Sequence, residues 1–136
     1  MYFTALGWFA DPELMQETLK WSLTPAVRSQ DTGILLRGML RLPWAREAAW
    51  TFIKDQWAAL TDKLGVFQGI PGVVSGLSNL CSASDAADVR AFFAKHPTEA
   101  VERRIQQSIE SIETCASIDA HQSAPLTSWL AERQSP

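Results

Sequence analysis

From Ala49 to Leu64 the large apolar side chains fall three or four residues apart: Ala49, Phe52, Ile53, Trp57, Leu60 and Leu64. That interval is the repeat of an α-helix, so these side chains share one face and need a partner surface to cover it. The pattern recurs along the chain. Val101, Ile105, Ile109, Ile112 and Ala116 mark one further face, and Ile70, Val73, Val74, Leu77 and Leu80 another. No short stretch alternates apolar and polar residues between turn signals, as a half-buried strand would. The chain reads as all-α.

Caps and breakers divide it. Met1 to Phe9 is already apolar and reads as the tail of a helix without a polar lead-in. Asp11 is a good N-cap and Pro12 a good first helical residue, opening a helix to about Ser22 with Leu14, Met15, Leu19 and Trp21 available for burial. Thr24-Pro25 breaks it. Ser29-Gln30-Asp31 opens the next, with Asp31 as a cap and Ile34, Leu35, Met39 and Leu42 facing inward, and Pro43 ends it. A long helix is expected from Trp44 to Lys63, then a loose connection through Gly65, Gly69 and Gly72. Ser84 or Asp85 caps a short helix carrying Val89, Phe92 and Phe93, and His96-Pro97 stops it. Thr98 caps a longer one. Ser123 and Pro125 open the last, with Leu126, Trp129 and Leu130 packing back. The tail 131–136 is expected to fray. Helices joined by links this short pack as antiparallel neighbours, so residues 1–136 are expected to form a single helical domain of HEAT/armadillo-like pairs.

Composition narrows the function. Charged residues make up 20% of the chain and the net charge is −3, with no basic stripe, so the electrostatic footprint of nucleic-acid binding is missing. The run Ile70 to Leu80 is too short and glycine-rich to span a bilayer. The opening residues lack the features of a signal peptide; nothing fixes the compartment, and the cytoplasm is the favoured one. Six Trp and six Phe imply a core of large rings or a face that meets another protein. The two cysteines, Cys81 and Cys115, are far apart and outside any CxxC, and read as plain buried thiols.

Catalytic chemistry has little to stand on. His96 and His121 are the only histidines, and neither lies in HExxH; both read as surface residues near helix ends. No GxSxG offers a nucleophile, and Gly76-Leu77-Ser78 belongs to a helix. Gly65, Gly69, Gly72 and Gly76 match no phosphate loop and point instead to close helix packing or a loop. Glu110 and Glu113 lie three apart on a helix whose opposite face is apolar, so a solvated face explains them better than acid–base work. Arg37, Arg41 and Arg46 could meet a peptide carboxylate, yet spaced arginines on exposed helices usually meet water. The catalytic and metal-ligating sets are therefore expected to be empty.

Five segments nonetheless follow in a telling order: Val27-Arg28-Ser29-Gln30-Asp31-Thr32, Ala49-Trp50-Thr51-Phe52-Ile53-Lys54-Asp55-Gln56-Trp57, Val89-Arg90-Ala91-Phe92-Phe93 with His96-Pro97, Glu102 to Ile112, and Ser128-Trp129-Leu130. The series resembles the C-terminal helical domain of the zinc aminopeptidases of the puromycin-sensitive, aminopeptidase N and endoplasmic-reticulum group. One departure is Cys115-Ala116-Ser117-Ile118, where members commonly carry a Trp. The resemblance implies a right-handed superhelix of antiparallel HEAT/armadillo-like pairs, truncated here at its N-terminal side. It implies a segment that helps wall the substrate chamber of a metalloaminopeptidase, with zinc and the catalytic residues in a separate domain of the parent chain. The implied partners are that catalytic domain and the parent's peptide substrate; the peptide contacts themselves cannot be named. Missing upstream helices would leave the face near Met1 to Phe9 uncovered and open to homodimerisation. The alternative is a stand-alone helical-repeat scaffold that binds a protein or peptide.

Overall fold

The computed structural model describes residues 3–134, with side chains from 5 to 133. Eight α-helices occur among the described residues: α1 (Phe3–Leu6), α2 (Pro12–Ser22), α3 (Ser29–Leu40), α4 (Arg46–Asp55), α5 (Trp57–Leu64), α6 (Ile70–Gly76), α7 (Ala83–Lys95) and α8 (Glu102–Gln134). A π-helical turn, Gly65–Gly69, joins α5 to α6, and 3-10 turns at Leu77–Asn79 and Glu99–Val101 flank α7. No strand occurs among the described residues. The all-α expectation is met.

Helix α3 is the hub. It touches α1, α2, α4, α5 and α6, and buries Leu35, Leu36, Met39 and Leu40. Each such side chain taken from water contributes about 1.5–3 kcal/mol. Helix α8 forms a second wall against α6 and α7. Buried polar groups are tied off between elements: Thr32 Oγ1 donates to the Ser22 carbonyl at 2.7 Å, and Ser108 Oγ to the Val74 carbonyl at 2.9 Å. The Lys63 ammonium donates to the carbonyls of Thr24 (2.9 Å) and Val27 (2.7 Å), fastening the α2–α3 turn onto α5.

Asp11 caps α2 as expected, accepting from the N–H groups of Glu13 and Leu14. Asp31 does not cap α3. Arg28 holds the cap position, and Asp31 in the first turn accepts from Arg28 Nε at 2.8 Å. The long helix expected over 44–63 is interrupted at Gln56, whose ψ of 19° leaves the helical region. The cap of α7 is Ser82, two residues before Ser84 and three before Asp85: its hydroxyl accepts from the Asp85 N–H while the Asp85 carboxylate accepts from the Ser82 N–H.

The glycine run is ordered packing, not a loose link. A Cβ on Gly69 would stand 2.9 Å from Leu64 Cβ at the end of α5, where the backbone leaves no room, and one on Gly76 would stand 2.8 Å from Leu40 Cδ1, a side-chain tip of α3. Gly65 alone among the described residues has positive φ, at 73°.

Two expectations fail at the end of the chain. Helix α8 continues through Ser123 and Pro125 without restarting. Leu126, Trp129 and Leu130 do not pack back; all three are exposed, as are Leu14 and Trp21, expected to be available for burial, and Ile34, expected on an inner face. The cysteines are not free thiols either. Cys81 and Cys115 form a disulfide, with Cα atoms 5.1 Å apart. A sequence separation of 34 carries no sign of that bond, because it closes only once α7 has been laid against α8.

Candidate functional site

Two of the ordered sequence segments meet in one place. Helices α4 and α5 present Trp50 and Trp57, and α7 presents Phe92 and Phe93. Trp57 stands edge-on to both phenylalanines, at 5.5 and 5.4 Å between ring centres, and Trp50 is edge-on to Phe92 at 5.3 Å. Edge-to-face geometry suits the ring quadrupoles, so the cluster is rigid as well as apolar. His96 lies at its rim, exposed, with its ring 4.5 Å from that of Phe92.

The polar handle of this cluster is Asp88. Its Oδ2 accepts from the Trp50 indole N–H at 2.7 Å and from Lys54 Nζ at 2.6 Å. The Lys54 hydrogen bond is the main cause of a carboxyl held below its ordinary range; the Trp50 bond and the Lys54 charge add to it, and partial burial opposes it. Sequence reading did not single out Asp88. Its partners lie 38 and 34 residues away, beyond any local pattern.

Beside the cluster, α7 and the start of α8 enclose an open groove of about 890 Å³. Phe93, Ile105 and Ile109 form its apolar part, and Arg103, Gln106 and Glu110 give it charges and amides. An apolar floor with mixed polar rims is what a peptide backbone and side chains require of a surface. Arg90, another lining residue, pairs with Glu113 at 2.9 Å and so straps α7 to α8.

The residues weighed for chemistry stay apart. His121 is on the far half of α8, bonded through Nδ1 to the Ser117 carbonyl, while His96 ends α7. Glu110 accepts from Gln106 Nε2 at 3.1 Å, and both glutamates are exposed. Ser78 donates to the Ser75 carbonyl and faces no base. Arg37 and Arg41 are exposed, and Arg37 lines a smaller hollow of about 280 Å³ between α3 and the π turn. Arg46 differs from the water-facing expectation: half-buried, it donates from Nη1 to the Asn79 carbonyl at 2.7 Å. No group of three or more His, Cys, Asp or Glu that could hold a metal exists among the described residues. The donors present do not fit a zinc ion, so no zinc step is assigned to these side chains.

No helix among the described residues is long and apolar enough to cross a membrane. The chain is similar to several aminopeptidases. It is 31% identical over 102 residues to Aminopeptidase M1-A of Oryza sativa subsp. japonica, covering 75% of this chain and 11% of that protein. It is 29% identical over 110 residues to Aminopeptidase 2, mitochondrial, of Saccharomyces cerevisiae, covering 79% and 12%. It is 25% identical over 132 residues to the Alanine/arginine aminopeptidase of the same yeast, covering 96% and 15%. The chain therefore spans only a small part of these relatives. The profile of the ERAP1-like C-terminal domain matches residues 1–114. All-helical architecture, the meeting of the Trp50–Trp57 and Phe92–Phe93 segments, and that match together establish that the chain belongs to the ERAP1-like C-terminal domain family.

Proposed function

We propose that this chain is the terminal helical segment of a zinc-dependent aminopeptidase, and that it walls part of the chamber in which the parent holds its peptide. The single observation that carries the reading is the family match over residues 1–114 on an all-helical chain. The amphipathic groove between α7 and α8 supports it, since it offers apolar and charged contacts together. Zinc, the water it activates and the cleavage machinery belong to the parent's catalytic domain, which is also this segment's partner. The segment itself binds and shapes; it does not cut.

The test uses the whole parent. Arg103→Ala with Gln106→Ala should raise KM for long peptides several-fold and leave turnover of an aminoacyl-aminomethylcoumarin unchanged, because the short substrate never reaches the groove. Equal effects on both substrates would overturn the chamber-wall role. A native start at Met1, with no HExxH encoded upstream in frame, would favour the scaffold alternative. Turnover by the repeatedly purified segment would overturn its inertness.

We also propose that the isolated segment dimerises through the surface near Met1 to Phe9. Trp8 is 69% exposed and Phe9 47%; the side chains of residues 1–4 lie outside the described residues.

A further inference from the structure

Cys81 and Cys115 are the only cysteines of the sequence, and both are half-buried. Cys115 lines a shallow surface hollow with Glu110, Thr114 and Ile118, so a small solvent thiolate can reach it. Cys81 directly precedes Ser82, the cap of α7, and its N–H is held by Asp85 Oδ2 at 3.3 Å. The bond therefore fastens the cap of α7 to the side of α8.

Its position along α8 is informative. Ile109 and Ile112 are buried, Cys115 and Ala116 are half-buried, and every residue from Ser117 to Arg133 is exposed. The bond stands where α8 leaves the core. Beyond it lie Ser117, Asp119, Ser123 and Thr127, which are weak helix formers, and Pro125, which lacks the N–H that would reach back one turn. A helix end of that composition draws little stability from itself, so the last tertiary hold sets where opening of the core-facing turns begins.

We infer that the Cys81–Cys115 bond is a thiol-exchange latch. Closed, it clamps the root of the exposed half of α8 to the α7 cap. Opened by a small thiol of the glutathione class, it lets that root and the residues around Cys81 loosen while the α3-centred core stays folded. In the first step a small thiolate attacks one Sγ; the S–S bond breaks and the other Sγ leaves as a thiolate, which takes a proton from water. A second small thiolate then attacks the mixed disulfide. The two small thiols depart as their own disulfide, having given two electrons to the cysteine pair, and the reverse sequence closes the latch. The latch stands open in a compartment kept reducing by such thiols and closed in an oxidising one.

The test holds the full chain in glutathione buffers from oxidised to reduced. Free thiols are counted with a polyethylene-glycol maleimide, and amide exchange is followed by mass spectrometry. On reduction, without denaturant, two thiols should appear, and amides of residues 109–116 and 79–86 should exchange about tenfold faster or more, while those of residues 35–40 keep their rate. The double variant Cys81→Ser, Cys115→Ser should exchange like the reduced protein in every buffer. Thiols that appear only in denaturant overturn the inference. So does an unchanged rate at 109–116 in the reduced wild-type chain, or an equal acceleration at 35–40, which would mark a bond that merely holds the whole fold together. The reduced wild-type measurement decides the matter even if the double variant does not fold.

Discussion

Asp88 links two helices through one carboxylate oxygen, and its ionisation is felt by the fold. Its pKa lies below the ordinary carboxylate value, chiefly because Lys54 donates to it. A carboxyl with a depressed folded pKa contributes stability that is fully present above its unfolded value, about 4, and is lost as pH falls through the folded value. Asp88→Asn should therefore cost about 1 kcal/mol at pH 7, the scale of a partly exposed charge-assisted hydrogen bond. The gap between the two proteins in urea melts should close as pH falls below about 4 and on through the lower folded value. A gap that stays constant with pH would mean that Lys54 and Trp50 gain nothing from the charge. Asp11 is legible as a helix cap from the sequence, because cap and capped N–H groups lie within three residues. Asp88 is not, because its partners arrive only when α4 and α7 are brought together.

Helix faces were legible at the scale of the element; helix ends were less so. Periodicity located the buried faces of α4 to α8, because burying a stripe needs the same spacing whatever the tertiary context. The break at Gln56 carries no Gly or Pro, so no punctuation announced it. The glycine run misled in the other direction. Flexible in a peptide, it is held in a π turn and α6 by packing against Leu64 and Leu40. Gly69→Ala should lower stability by about 1–3 kcal/mol, despite alanine's better helix propensity, because its methyl meets the Leu64 backbone-proximal Cβ and carbonyl. A rise in thermal midpoint would show that the turn yields at no cost. Ser123 and Pro125 looked like a helix start, but Ser123 instead bonds the Asp119 carboxylate one turn back, within the continuous α8. Truncation after Ala116 should leave the midpoint within about 2 °C, since no side chain described beyond it, from Ser117 to Arg133, is buried. A larger drop would mean that the exposed half of α8 braces the core.

Across the whole molecule, the fold class was open to sequence reading and the covalent topology was not. Fold class follows from many repeated spacings, whereas one cross-link depends on a single encounter between residues 34 apart. The surface of the isolated segment should also betray its neighbours: light scattering should find a dimer at high concentration, and Trp8→Glu with Phe9→Glu should return it to a monomer. Persistence of the dimer would move the contact to another face.

The exposed half of α8 has one more consequence. Residues 117–134, at about 1.5 Å of rise each, extend some 27 Å past the last buried turn. Such a rod makes tumbling in solution unequal about the long and short axes. Nuclear relaxation rates along the backbone should therefore depend on how each N–H bond lies relative to the rod, and scattering should report a longest chord well beyond that of a sphere of this mass.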